Sequence, residues 1–429
     1  MSIKPYPKYK DSGVEWLGMV PEGWAVVSCR GIVCERTAKN EGAKCQDYLS
    51  LMANVGIIPY AEKGDVGNKK PEDLTKCKVV TRGDFVINSM NYGIGSYGLS
   101  DYDGVCSPVY IVLKPQNDVI ESRFAFRIFE NRAFQTLAQS FGNGILEHRC
   151  AINWDILKSI GVGVPPMDEQ RTILAFLDHE TAKIDALIAE QEKLIELLKE
   201  KRSAVISHAV TKGLNPDVKM KDSGVEWLGM VPEGWDVTKF RFLFRESSEK
   251  IEQEIIGPML SVSGYRGIEV KEYDDENKRR LEEDLIGYRI VRVGQLVVNT
   301  MWLNYAGLGV SDFEGHVSPA YRSYSISPDL NRRFCHHLLR SEIYVKGYTR
   351  LLTGVRPNSL QMSREDLMSF PVIVPKLEEQ SAIASFLDNE TSKIDALTTE
   401  AQHGIDLLQE RRSALISAAV TGQIDVRDH

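Results

Sequence analysis

Cysteine is sparse and badly spaced for any joint role: seven stand in 429 residues, and none forms a CxxC pair. That argues against a disulfide framework or a zinc site, so reduced thiols and no metal are expected. The N-terminus, MSIKPYPKYK, has no apolar stretch of the signal-peptide kind. No run approaches the ~20 apolar residues of a membrane span. A cytoplasmic setting is therefore the expectation. Positive charge is also short: 52 Lys and Arg against 60 Asp and Glu leave a net charge of −8. This excludes a polybasic tail but not a local basic face, because distribution decides binding.

Catalytic signatures are missing as well. There is no GxxxxGK[ST], HExxH, H-x-E…PCxxC or GxSxG. Gly93, Gly95 and Gly98 fit GxGxxG, but Ser107-Pro108 follows where a dinucleotide site needs a helix, and this stretch reads as a loop. No Asn/Asp-Pro-Pro-aromatic tetrapeptide occurs, the motif that would hold a flipped base amine. No catalytic residue is assigned, and no cofactor is expected on this chain.

What the chain has is repetition. KDSGVEWLGMVPEGW stands at 10–24 and again, unchanged, at 221–235. Residues 168–213 and 378–423 share 26 of 46 positions, whereas 87–110 and 298–321 share only 9 of 24. The offset is 211 early and 210 late, so one residue was lost between about 110 and 144. The ends of each unit are held and the middles have diverged. Two scaffolds reading two different things would look like this; faster drift of surface-rich middles is the plainer alternative.

The held segments read as long helices. In 168–210 apolar residues recur through Leu177, Ile184, Leu187, Leu194 and Leu198, and the copy repeats them as Leu387, Ile394, Leu397, Ile405 and Leu408. These are the steps of a coiled-coil seam. Pro165 and Pro166 block the near end and Gly213 marks the far end, while Gly404 weakens the copy. Forty-odd residues make rods of about 60 Å, each needing a partner for its stripe. The copy is the nearest partner, in antiparallel pairing. The hairpin-like segment 10–24 should then sit beside the end of the second rod, near Thr421. The middles alternate β-branched runs (Tyr48–Met52, Lys78–Val80, Phe85–Asn88, Val109–Leu113, Ile290–Val293, Leu296–Asn299) with turn residues, and 122–140 and 331–348 look helical.

The fold class is thus α+β: a tandem pseudo-twofold repeat of two α+β domains, 1–164 and 215–374, separated by two long antiparallel helices in 165–214 and 375–429.

Taken together, the repeated SGVEWLGMVPEGW, VPPMDEQ (164–170) with VPKLEEQ (374–380), FLDHETAKIDAL with FLDNETSKIDAL, and RSAVISHAVT with RSALISAAVT resemble the specificity subunit of type I restriction–modification enzymes. The resemblance spans nearly the whole chain. It implies two target-recognition domains, each reading half of a bipartite double-stranded DNA site. The helices between them would act as a ruler and dock two copies of a modification subunit, which would carry S-adenosylmethionine and methylate adenine. Restriction subunits with an ATPase and nuclease would join that complex. A two-fold scaffold recruiting identical partners without touching DNA is the other reading of the same rods.

Regional net charge is +1 for 1–164, −2 for 165–214, −2 for 215–374 and −5 for 375–429, so most acidity lies on the rods and tail. DNA affinity would then come from clustered bases: Lys69 and Lys70, and at a matching point Lys278, Arg279 and Arg280. The loops after Asn88 and Asn299 offer Asn91, Tyr92, Ser96 and Tyr97 in one repeat and Trp302, Asn304 and Tyr305 in the other, suited to base-edge bonding and stacking. The identical Asn88 and Asn299 are expected to hold the loops rather than discriminate. A third set is Asn143, His148 and Arg149 against Arg350, Arg356 and Asn358. Half-sites about one helical turn apart, roughly 10 bp, follow if both domains sit on one face of the duplex.

Overall fold

The structure, a computed structural model, describes residues 4–66, 69–141, 151–264, 266–272, 282–353 and 360–427. The chain divides into two compact units, Met1–Gln191 with His403–His429, and Glu192–Gln402. The division falls within both rods, the helices Met167–Lys212 and Leu377–Val420.

In the first unit the repeated motif folds as a hairpin, Tyr9–Asp11 against Met19–Pro21. Asp11 Oδ1 accepts from the Gly13 amide at 2.9 Å, an Asx turn that starts the reversal. The next strand, Ala25–Ser28, pairs antiparallel with Gly161–Val164. Glycine at 161 and 163 lets Val14 and Trp24 pack onto the strand, since a Cβ at either place would press on them at 2.6 and 3.1 Å. A four-stranded antiparallel sheet follows, ordered Val33–Glu35, Tyr110–Pro115, Phe85–Asn88, Tyr97–Leu99.

Strand periodicity places the core. Phe85, Ile87, Ile111 and Leu113 face the helices Ser122–Glu130 and Arg132–Ser140, meeting Phe124, Phe129 and Phe134. Val86 and Val112 face the other way, against Leu49, Leu51, Ile57 and Val80. The central strands are therefore buried on both faces. Truncating Phe124, which is fully buried, should cost about 3–5 kcal/mol. The helical stretch expected over 122–140 is two helices, because Asn131 adopts φ −61°, ψ 124° and its side chain caps the second.

The second unit repeats this plan. Its hairpin is Met220–Asp222 with Met230–Pro232, and Asp236–Lys239 pairs with Pro371–Val374. The sheet runs Phe244–Glu246, Tyr321–Ile326, Leu296–Asn299, Leu308–Val310, covered by Arg332–Arg340 and Glu342–Thr349. Here too the expected single helix is broken, at Ser341 with ψ 150°. The lost residue can be narrowed. The Gln116 amide bonds the Ile32 carbonyl as Ser327 bonds that of Leu243, an offset of 211. Gln170 then bonds the Val119 carbonyl as Gln380 bonds that of Asp329, an offset of 210. The deletion lies between those points.

Each rod is anchored by a buried glutamine. Gln170 Nε2 donates to Pro165 O and Val119 O while its Oε1 accepts from the Glu121 amide, and Gln380 repeats the set with Pro375, Asp329 and Asn331. In the first unit Ile173 and Leu177 share a core with Ile416, Ala419 and Val420, so the rods run antiparallel there. In the second, Ile206, Ala209 and Val210 share one with Ile383, Ala384 and Leu387, again antiparallel. Both rods have the expected forty-odd residues, at 46 and 44, and the second continues through Gly404.

The seam differs from expectation in part. Leu177, Ile184 and Leu198 are buried, as are Leu387, Ile394 and Ile405, and Leu408 is half-buried. Leu187, Leu194 and Leu397 are 45%, 42% and 55% exposed and do not belong to it. As expected, the hairpin meets the end of the second rod: the Asp425 amide donates to Lys4 O at 2.8 Å, and Gly422 lies against Pro21 and Trp24. Among the described residues no helix is long and apolar enough to cross a membrane.

Candidate nucleic-acid interface

Each unit presents one tight loop at the end of a central strand, built on the same frame. In the first, the Asn88 amide donates to Ser96 O at 2.9 Å and the Asn91 amide to Asn88 O at 3.1 Å. In the second, the Asn299 amide donates to Gly307 O at 2.7 Å and the Trp302 amide to Asn299 O at 3.0 Å. Asn88 Oδ1 accepts from the Met90 amide at 3.2 Å and Asn299 Oδ1 from the Met301 amide at 3.1 Å. Both asparagines are buried and hold their loops, as the sequence led one to expect.

The tips differ. Trp302 and Tyr305 are 55% and 58% exposed, with ring centroids 6.0 Å apart at 62°. Asn304 is half-buried, its Oδ1 without a hydrogen-bond partner among the described residues. In the first unit Asn91 is half-buried, but two of the expected contacts turn inward. Tyr92 is buried and its hydroxyl donates to Phe129 O at 2.5 Å; Ser96 is buried too. Neither side chain is available to a base, and the phenol of Tyr92 is pushed well up by burial. The half-buried Tyr97 is occupied by Phe85, Tyr92 and Phe126.

The surface there is apolar instead: Met90, Ile94 and Val55 are exposed, the last from the hairpin tip whose Asn54 amide donates to Gly95 O at 2.9 Å. Sequence reasoning missed these three because an apolar residue in a loop carries no signal of exposure. Apolar tips suit thymine methyl groups, and aromatic tips suit stacking or wedging.

Of the expected basic residues, Lys69, Lys70 and Arg350 are among the described residues. Lys69 and Lys70 are exposed, and Lys70 Nζ donates to Gln46 O at 3.2 Å. Exposed Arg350 lies 3.6 Å from Glu226. Lys278, Arg279, Arg280, Asn143, His148, Arg149, Arg356 and Asn358 lie outside the described residues. Sequence reasoning missed a guanidinium group in the second unit, where Arg322, Arg364 and Arg289 surround Glu246 at 2.7, 3.1 and 3.7 Å. Burial alone would raise the Glu246 carboxyl, but hydrogen bonds from Arg322 and Arg364 hold it below the usual range. Three guanidiniums on one carboxylate leave positive charge over.

Among the described residues no cluster of His, Cys, Asp and Glu could hold a metal. The arrangement can bind and discriminate.

Comparison with known proteins bears on this arrangement. The family model described as the type I restriction modification DNA specificity domain matches residues 21–197. A protein named as the MjaX type I restriction enzyme specificity subunit, from Methanocaldococcus jannaschii, is 23% identical over 448 residues, covering 96% of each chain. The StySPI type I restriction enzyme specificity subunit of Salmonella potsdam is 24% identical over 282 residues, 62% of this chain and 58% of that one. A chain solved in work on complex assembly and conformational transition of the type I R-M system superposes with TM-score 0.68 at 13% identity, covering 94% of this chain and 98% of its own. The HsdS subunit from Thermoanaerobacter tengcongensis superposes with TM-score 0.51 at 14% identity over the same shares. At such identities the structural likeness speaks for the fold.

Proposed function

The chain belongs to the specificity subunits of type I restriction–modification systems, and from that we propose that it reads a bipartite, asymmetric double-stranded DNA site, one half with each unit. The observation that carries this is the pair of loops: Asn88 and Asn299 build one frame, while Ile94 in one tip stands where Tyr305 stands in the other. A shared frame with unlike tips reads unlike half-sites. Trp302 and Tyr305 stack on or wedge between bases in one half; Ile94 and Met90 meet thymine methyls in the other. Lys69, Lys70 and the Arg322–Arg364 group lie against phosphates and fix register rather than sequence.

The rods set the spacing between half-sites and dock two modification subunits. The exposed leucines serve that docking, Leu187 and Leu407 in one unit and Leu197 and Leu397 in the other. Chemistry belongs to those partners: they bind S-adenosylmethionine and methylate adenine, in a cytoplasmic complex that restriction subunits complete.

The test is base-resolution methylation mapping with the assembled modification complex carrying Trp302→Ala with Tyr305→Ala, or Ile94→Ala. Each variant should relax one half of the recognised sequence and leave the other intact. Relaxation of both halves by either variant contradicts the assignment.

A further inference from the structure

Resting on that reading, we propose that Arg340 is a positioning residue for base recognition by the second unit: its guanidinium clamps the loop carrying Trp302 and Tyr305 by binding backbone carbonyls. Arg340 ends the helix Arg332–Arg340 and turns inward. Its Nη1 donates to Ser263 O at 3.2 Å, to Ala306 O at 3.0 Å and to Leu308 O, and its Nη2 to Gly264 O at 2.8 Å. Those carbonyls belong to two turns and the strands beside them: Ser263 and Gly264 at the end of Leu260–Ser263, and Ala306 and Leu308 where the readout loop 300–307 runs into Leu308–Val310. The loops also touch each other, since a Cβ on Gly264 would stand 2.7 Å from Tyr305 O.

Three features separate this from ordinary packing. First, among the described residues no carboxylate forms an ion pair with Arg340; neutral carbonyls take all four bonds. Burial lowers its pKa to about 10, which still leaves it charged at neutral pH. A half-buried cation with no ion-pair partner is costly, and a planar fork with five fixed donors is what distinguishes arginine in such a place. Second, Ala306 sits in the left-handed region at φ +53°, a conformation that costs a non-glycine residue and persists only where neighbours impose it. Arg340 holds the carbonyls of Ala306 and of Leu308, either side of Gly307. Third, His336, one turn earlier on the same helix face, accepts at Nδ1 from the Val310 amide at 3.3 Å. The helix thus grips 306–310 at both ends.

The first unit shows what the clamp replaces. There the left-handed position is Gly95, φ +86°, which needs no enforcement, and the Asn54 amide bonds its carbonyl. The positions of His336 and Arg340 are held by Phe126 and Glu130. Glu130 takes Arg127 at 2.6 Å and Arg412 at 3.1 Å and leaves the loop alone.

The experiment compares wild type, Arg340→Gln, Arg340→Lys and Gly264→Ala in the assembled modification complex. Methylation mapping is read alongside affinity for random duplex. Arg340→Gln should lower discrimination in the second unit's half-site by roughly tenfold or more, leaving the other half-site and random-duplex affinity unchanged. Arg340→Lys, which keeps the charge but not the fork, should recover only part. Gly264→Ala, which pushes on Tyr305 while keeping the Arg340 side chain, should relax the same half. Unchanged discrimination in Arg340→Gln overturns the proposal, as does equal loss in both halves. Where Arg340→Gln does not assemble, full wild-type discrimination in Arg340→Lys overturns it. Wild type without sequence preference would instead overturn the DNA reading beneath it.

Discussion

Arg412 donates from Nε to Asp185 Oδ1 at 2.9 Å, and in the other unit Arg202 donates from Nε to Asp395 Oδ1 at 3.0 Å. Duplication relates the pairs: 210 residues separate Asp185 from Asp395 and Arg202 from Arg412. Each pair takes one residue from each repeat, so neither repeat alone completes a unit. A rod end from its twin closes it.

Arg412 also reaches Glu130, which is largely buried, whereas Asp185 is about half exposed. Arg412→Ala should therefore cost about 1–2 kcal/mol and Asp185→Ala under about 1 kcal/mol, read as shifts in urea midpoint. Equal costs would mean that Glu130 contributes nothing.

Trp24 and Trp235 are equivalent and fully buried, yet only one indole is satisfied. Trp24 Nε1 donates to Glu169 Oε1 at 2.8 Å, an oxygen that also accepts from Tyr6, while Trp235 Nε1 has no partner among the described residues. Trp24→Phe should destabilise more than Trp235→Phe by about 1.5–3 kcal/mol, the worth of a hydrogen bond to a charged group. Thermal melts of the two variants decide it.

The second unit should weaken in mild acid. Burial, followed by the nearby Arg340, His337 and Arg333, pushes the ring of His336 down from 6.5 to about 3, and burial lowers His337 despite its bond to Asp388. Protonation then favours the unfolded chain. The stability is full above about pH 6.5 and drains as pH falls toward 3. By pH 5 the loss from His336 alone is about 2 kcal/mol. His336→Gln should flatten the profile between pH 6.5 and 5; an unchanged slope would place its origin elsewhere.

Substitutions at the tips should leave the fold alone. Trp302, Tyr305 and Ile94 are more than half exposed, so replacing each by Ala should move stability by no more than about 1 kcal/mol in denaturant titration while altering DNA recognition. Large destabilisation would show that the tips are packed rather than presented.

Architecture was legible because repetition and periodicity are local. The duplicated motif, both rods with the glycine end of the first, and the strands Lys78–Val80, Phe85–Asn88 and Leu296–Asn299 were read correctly, as was the loop-holding role of Asn88 and Asn299. The site was less so. Residue type gave Tyr92 and Ser96 as contacts, but a tertiary choice, the bond from Tyr92 to Phe129 O, turns the tyrosine into the core. Arg340 was invisible because its partners are backbone carbonyls, which leave no mark on sequence. Leu187 and Leu397 kept the seam's spacing while pointing off its buried row.

The most direct test is the methylation map of DNA treated with the wild-type complex assembled from this chain and its modification partner. The expected result is one two-part sequence whose halves differ, separated by a fixed gap of unread bases. A palindromic sequence, or modification without sequence preference, would contradict two unlike readers on one duplicated frame.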